Sequence, residues 1–411
     1  MNIEVVAIGN EIVNGHVVNS NAATISRLLL DAGYKVQRHT SLPDDFNLLK
    51  NGLQEALERS QLVIATGGLG PTSDDFTRAV ICELFQTKLV VREDIKRRLN
   101  AHFHGKLLSL EDQSSVPESA EILENSLGTA QGLILKYKGS AIILLPGVPI
   151  EVEHLVAEQL IPYLKANFPI KHAFSKELLH FFNTIESEID PVLREVEKEY
   201  PEISFGIYPH LGYVTVALNA LIYSPRQQER FIAAGEYFKK VFSHFYLPIA
   251  AESLERELHE ELRRQAITLA LAESCTGGSV SARLTEFAGA SAYFMGSVVC
   301  YSNFSKMHFL NVSGQTLAQF GAVSRETVLE MVQGVQGAFG SELAGAVTGI
   351  AGPDGGASDK PVGTVWLAAM QKGEEPHAFK ILARGNRKAI IQKAGNYLLY
   401  TFIKKLKTGR F

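Results

Sequence analysis

Three cysteines in 411 residues, Cys82, Cys275 and Cys300, are too few and too scattered for a disulfide framework or a cysteine-rich zinc site. Charge of one sign is lacking as well. Forty Lys and Arg face 44 Asp and Glu, a net charge of −4, which excludes a protein that coats nucleic acid through its overall charge. Long apolar runs are missing too. The charge-free stretch 287–305 is long enough to span a bilayer, but Gly, Ser, Ala and Asn interrupt it and a membrane span is not expected. The opening MNIEVVAIGN has an acid at Glu4 and no basic lead-in, so no secretory signal is expected and a cytoplasmic location is. What is present is a folded-protein composition, 46% hydrophobic and 20% charged, with 34 glycines gathered in clusters. The length exceeds one hydrophobic core and predicts two or three domains.

The first section alternates strand and helix signals. Apolar runs at 3–8, 62–65 and 141–145 predict buried strands, and a further strand is expected at 34–37. Helical spacing at 22–31 and 46–59 fills the gaps, which implies a parallel sheet covered on both faces, with its ligand loops at the strand carboxyl ends. From residue 171 to 250 the glycine-rich loops disappear, and a small α+β domain is expected, with helices at 187–200 and 226–244 and a strand at 213–222. Beyond it, strands at 267–272, 343–347 and 362–370 and a closing helix at 388–406 restore the α/β texture.

Three constellations could carry chemistry. The loop Thr66-Gly67-Gly68-Leu69-Gly70-Pro71-Thr72 follows a buried strand, so its backbone N–H groups can turn towards an anion. Asp74 and Asp75 come next, and Glu11 and Asp44 lie at other strand ends that a doubly wound sheet would bring to the same edge, a grouping suited to Mg²⁺. The competing reading is a plain glycine turn with a capping Asp. The second constellation is Glu273-Ser274-Cys275-Thr276-Gly277-Gly278, where Ser274 is either a nucleophile with backbone donors at Gly277 and Gly278 or a helix cap. Cys275 is the rival nucleophile, ranked lower for want of a His partner. Lys306 lies between Phe304, Met307 and Phe309; loss of hydration there would lower its pKa and make it a base, with Tyr301 as relay. Third, Arg387 sits ahead of the closing helix in a stretch, 376–411, without Asp or Glu, where a guanidinium could clamp phosphate.

These motifs resemble the CinA (competence/damage-inducible) family over the whole chain. IGNEIVNG with Asn21, TGGLGPTSDD and LPGVPIEVE are similar to the molybdopterin-binding-like (MoCF biosynthesis) domain; AESCTGG, YSNFSK, GAVS, TGIAGPDGG, KPVGTVW and GNR are similar to the C-terminal nicotinamide-nucleotide amidase domain. The resemblance implies a doubly wound domain at 1–170, a KH-like connecting domain at 171–250 and a three-layer α/β/α amidase at 251–411. It further implies deamidation of nicotinamide mononucleotide, with Ser274 as nucleophile, Lys306 as base, Tyr301 as relay, Thr348 by the amide or oxyanion, Gly349 among the substrate-binding residues, and Arg387 on the phosphate. For the N-terminal domain it implies hydrolysis of ADP-ribose with a divalent cation (Mg, Mn or Co), helped in relatives by potassium; for the amidase it implies no cofactor. A homodimer is implied as well.

Departures from the family pattern are Asn10 where an acid is common, leaving Glu11 as the nearer ligand, and Asn386 and Ile391 where an Asp and a second Arg are common. The middle section has only Gly206-Ile207-Tyr208-Pro209 as a candidate RNA-binding loop, without basic flanks, so nucleic-acid binding is not expected. The alternatives are a molybdopterin-binding protein or a competence-related scaffold.

Overall fold

Six strands form the first sheet: β1 (Ile3–Ile8), β2 (Val36–Leu42), β3 (Leu62–Thr66), β4 (Glu121–Leu123), β5 (Gly132–Tyr137) and β6 (Ser140–Leu145), in the order β2-β1-β3-β6-β5-β4. The computed structural model describes residues 1–70, 75–104, 109–170, 173–251 and 253–411. Strands β2, β1, β3 and β6 are parallel, and β5 and β4 extend the sheet antiparallel. The parallel sheet expected from the sequence is present in these four strands, and two antiparallel strands extend it. The cause is local. Lys138 and Gly139 both take positive φ, 42° and 94°, and turn β5 directly into β6 as a two-residue hairpin, leaving no room for a crossover helix.

Period-two burial sorts this sheet into two faces. Val6, Ile8, Val63, Ala65, Ile142 and Leu144 pack with Leu49, Leu53 and Leu57 from Phe46–Arg59. Val5, Ile64, Ile143 and Leu145 pack on the other face with Ala22, Ile25 and Leu29 from Ser20–Asp31. Register aligns Leu42 with Ile8, Ala7 with Thr66 and Thr66 with Leu145, so four carboxyl ends share one edge. The expected strand at 34–37 instead starts at Val36. Tyr34 is a buried core side chain, and β2 is an edge strand whose polar Gln37, Arg38 and His39 hide it from a hydrophobicity reading.

The middle section forms a four-stranded sheet: β7 (Ala173–Phe182), β8 (Ser204–His210), β9 (Tyr213–Ile222) and β10 (Tyr246–Leu247), in the order β8-β9-β7-β10. Gly206–Pro209 lies inside β8 and pairs with Val214–Ala217, so the segment considered as a loop is ladder. The chain divides into two compact units, Met1–Lys176 with Ala220–Gln228 and Glu177–Asn219 with Glu229–Phe411.

The C-terminal sheet has five strands: β11 (Leu269–Glu273), β12 (Phe294–Val299), β13 (Leu343–Gly349), β14 (Thr364–Gln371) and β15 (His377–Leu382), in the order β12-β11-β13-β14-β15. The first three in that order are parallel; β14 and β15 run antiparallel. Helices α1 (Leu254–Gln265), α2 (Ser279–Thr285) and α3 (Arg387–Thr408) cover one face with Leu258, Leu262, Val280, Leu398 and Phe402. Residues Asn303–Leu310 and Arg325–Phe339 cover the other face, where the strands present Ala270, Ala272, Ala344 and Ala346. Small residues there let a helix approach the sheet closely. Arg387, expected ahead of the closing helix, is its first residue, capped by Asn386 Oδ1 receiving the Ala389 N–H at 2.9 Å. No helix among the described residues is long and apolar enough to cross a membrane; the 287–305 stretch contributes β12 instead.

Candidate active sites

β11 ends at Glu273, paired with Val347 of its parallel neighbour, and the Ser274 N–H continues the ladder to the Val347 carbonyl at 3.0 Å. The alternation that turns Ala270 and Ala272 towards the helix Asn303–Leu310 carries Ser274 to the same side. That helix is capped by Ser302 Oγ, which accepts the Ser305 N–H at 3.1 Å, and its fourth residue is Lys306. Lys306 is 1% exposed; its Nζ donates to Ser274 Oγ at 2.9 Å and to the Cys300 carbonyl at 2.7 Å. Burial pushes the ammonium below the ordinary lysine range, and among the described residues no carboxylate pairs with it. The pairing of Ser274 with Lys306, read from 32 residues of separation, is thus a direct contact. Cys275 lies next to it but is buried, with its thiol pushed up to about 12 by desolvation, so the reactive thiolate is scarce at neutral pH.

Glu273, passed over in the sequence, builds the turn. Fully buried, its carboxylate accepts the N–H groups of Gly278 (3.0 Å), Val280 (3.2 Å) and Ser281 (2.8 Å), and Ser281 Oγ–H at 2.6 Å. It occupies the positive end of α2. The Gly277 N–H donates to the Ser274 carbonyl at 3.0 Å. Gly277 and Gly278 therefore shape the turn, Gly278 with a φ of 93°, and the donor role expected of their N–H groups is corrected: both protons already have acceptors. The available signal was an acid immediately before Ser at a strand end that runs into a helix.

Thr348 is 1% exposed and donates its hydroxyl to the Ala322 carbonyl at 2.8 Å. Its only proton is used, so towards a ligand it offers lone pairs, which suits an amide N–H and not an oxyanion. Gly349 lies against the turn: a Cβ there would stand 3.1 Å from Cys275 Sγ. Tyr301 is 60% exposed, and its hydroxyl accepts from Arg387 Nη2 at 2.6 Å and makes no hydrogen bond to Ser274 or Lys306 among the described residues. Arg387 Nη1 donates to the Gly352 carbonyl at 2.8 Å.

In the N-terminal unit, the shared strand edge opens into a cavity of about 200 Å³ lined by Glu11, Asn21, Asp44, Thr66, Gly67 and Asp75, among others. Gly67 takes a φ of 109°, and a Cβ there would collide with the Ile8 carbonyl. Gly68 lines the same cavity, while the Gly70 carbonyl accepts from Arg78 Nη2 at 3.1 Å. Asp44 Oδ2 accepts the Asn10 N–H at 2.9 Å. Thr72 and Asp74 lie outside the described residues. Asn21 and Thr66 form a network the sequence did not single out. Thr66 Oγ1 donates to the Pro146 carbonyl at 2.6 Å and receives Asn21 Nδ2 at 3.2 Å, and Nδ2 also donates to the Gly147 carbonyl at 2.8 Å. This arrangement fixes the amide orientation and leaves Asn21 Oδ1 as a buried acceptor without a partner.

Among the described residues no three His, Cys, Asp or Glu side chains gather closely enough to hold an ion by themselves. Three carboxylates and an unpartnered amide oxygen around one cavity nonetheless form a hard-oxygen donor set. Mg²⁺ fits such a set, because it keeps several waters and takes one or two carboxylates together with phosphate oxygens.

Fold and sites define a protein with two α/β parts, one carrying a carboxylate-lined strand edge and the other a buried Ser/Lys pair. The chain belongs to the CinA family: a model of the CinA C-terminal domain matches residues 251–406 and one of the probable molybdopterin binding domain matches residues 4–166. A protein of Acetivibrio thermocellus named for competence-damage induction is 37% identical over 396 residues, covering 94% of this chain and 95% of that protein. A CinA-like protein of Kosmotoga olearia is 33% identical over 405 residues, covering 97% of each chain. Among solved structures, the competence/damage inducible protein CihA from Agrobacterium tumefaciens is 35% identical and covers 39% of this chain and 99% of its own, with a TM-score of 0.37.

Proposed function

We propose that the C-terminal part hydrolyses the carboxamide of nicotinamide mononucleotide, giving nicotinate mononucleotide and ammonia. The observation that carries this reading is the 2.9 Å contact between a fully buried Lys306 amine and Ser274 Oγ. A neutral amine at that distance accepts the Ser274 proton while still donating to the Cys300 carbonyl. The Ser274 oxygen then attacks the carboxamide carbon, and Lys306 returns the proton to the departing nitrogen, which leaves as ammonia. Water, deprotonated by the same amine, cleaves the resulting ester and restores Ser274. Thr348 Oγ1 accepts a carboxamide N–H and orients the group, and Arg387 binds the phosphate at the far end. In this reading the amidase needs no cofactor. Ammonia release from the mononucleotide by the purified chain, lost in Ser274→Ala, is the test.

The proposal extends to the N-terminal part as an ADP-ribose hydrolase. Glu11, Asp44, Asp75 and Asn21 Oδ1 would hold a divalent cation, Mg, Mn or Co, with potassium as an activator. The cation would supply charge neutralisation at the pyrophosphate. The acceptor-rich cavity supports this reading, and release of AMP from ADP-ribose tests it. The proposal also includes a cytoplasmic homodimer acting on small molecules, with neither membrane nor nucleic acid as partner.

A further inference from the structure

Tyr301 and Arg387 come together from positions 86 residues apart, and their contact has a defined polarity. Tyr301 Oη accepts a hydrogen bond from Arg387 Nη2, so its own O–H is left for another acceptor. A guanidinium has five N–H donors; Nη1 uses one on the Gly352 carbonyl and Nη2 one on Tyr301, and three remain. The partners of Arg387 among the described residues are neutral oxygens, so no carboxylate offsets its charge. Both side chains are exposed. Unused donors from two residues, one of them cationic, thus stand side by side and open to solvent, an arrangement that suits a phosphate monoester with several acceptor oxygens.

Resting on the amidase reading above, we infer that Tyr301 is a phosphate ligand and not a proton relay, and that it forms one clamp with Arg387 for the 5′-phosphate of the mononucleotide. A relay needs its hydroxyl at the reacting pair, whereas Ser274 and Lys306 have each other and Cys300 as partners. The clamp is tied to the chemistry through the backbone. Tyr301 directly follows Cys300, whose carbonyl holds Lys306, so a phosphate gripped at Tyr301 fixes the distance from the far end of the substrate to Ser274. Glycine-turn N–H groups cannot share the task, since Glu273 and Ser274 already receive the Gly278 and Gly277 protons.

The test compares kcat/KM for nicotinamide mononucleotide and for its riboside, which lacks the phosphate, in wild type, Tyr301→Phe, Arg387→Ala and the double variant. The preference for the mononucleotide should fall roughly tenfold in Tyr301→Phe and up to a hundredfold in Arg387→Ala. The double variant should lose little beyond Arg387→Ala alone, because the two act as one unit. An equal loss of kcat on both substrates in Tyr301→Phe assigns the relay role and overturns the clamp, as does no loss on either. Titration calorimetry with inorganic phosphate needs no turnover and separates the two claims. Phosphate that fails to bind wild type, or binds wild type and both variants alike, overturns the clamp whatever the amidase assay shows. Binding that weakens in both variants, in a wild-type protein that releases no ammonia, upholds the clamp and overturns the amidase reading.

Discussion

The Glu273 carboxylate receives both the N–H and the Oγ–H of Ser281, at 2.8 and 2.6 Å, and so fastens the residue before the proposed nucleophile to the first turn of the following helix. Glu273→Gln keeps the shape but turns an NH2 group towards N–H donors, leaving at least one buried donor unpaired at a cost of about 1–3 kcal/mol. The variant should unfold at lower temperature and lose amidase turnover more than substrate affinity, because the turn that places Ser274 loosens. Circular dichroism melting with separate kcat and KM values checks this. A variant that melts like wild type yet is inactive would mean that Glu273 acts on the substrate itself.

Ser274→Ala and Lys306→Ala should each abolish ammonia release, and the double variant should be no worse than either, as for residues that act as a unit. Cys275→Ala should retain most activity, since its thiol is buried and raised to about 12. An inactive Cys275→Ala beside an active Ser274→Ala reverses the assignment of the nucleophile.

The pH dependence follows from Lys306. Burial lowers its pKa below that of a free lysine, so kcat/KM should rise with pH through a limb lying below the usual lysine range of about 10.4. The sign for stability is the reverse of a salt bridge. A lowered amine pKa means that the fold disfavours the charged form, so the cost of burying it is full at low pH and fades as pH rises from the lowered value towards that of the unfolded chain. Lys306→Met should therefore be inactive yet melt no lower than wild type at neutral pH, with its advantage shrinking in alkali. Melting curves at several pH values decide; a Lys306→Met that is less stable throughout would show that the amine is held charged.

Much of this was legible in the chain. Helix Phe46–Arg59 and strands β1 and β9 match their periodicity residue for residue, because burial on one face imposes it. The edge strand β2 was misplaced since an edge exposes polar residues to water. Lys306 could be proposed from its apolar neighbours, but its actual surroundings are supplied by Ser274 and the Cys300 carbonyl. Thr66 and Asn21 were invisible as a network because their partners are the carbonyls of Pro146 and Gly147, and main-chain acceptors leave no mark in a sequence.

The N-terminal cavity yields the last prediction, which turns on metal binding and not only on activity. If Asn21 Oδ1 and the Asp75 carboxylate contribute to a divalent site, Mn²⁺ titrated into the protein and followed by electron paramagnetic resonance should bind about ten- to a hundred-fold more weakly in Asp75→Ala. Thr66→Val is the sharper probe. It removes one of the two oxygens that hold Asn21 Nδ2 and leaves the Gly147 carbonyl, so the amide is held less firmly while every direct donor stays in place. It should weaken Mn²⁺ less than Asp75→Ala does, and Thr66→Val introduced into Asn21→Ala should add little, because the hydroxyl acts through the amide. EDTA should abolish ADP-ribose hydrolysis and spare ammonia release, the two sites being built from different side chains in different compact units. Mn²⁺ affinity indifferent to all three substitutions would remove these residues from the metal site, and hydrolysis of ADP-ribose that persists in EDTA would remove the metal from the reaction.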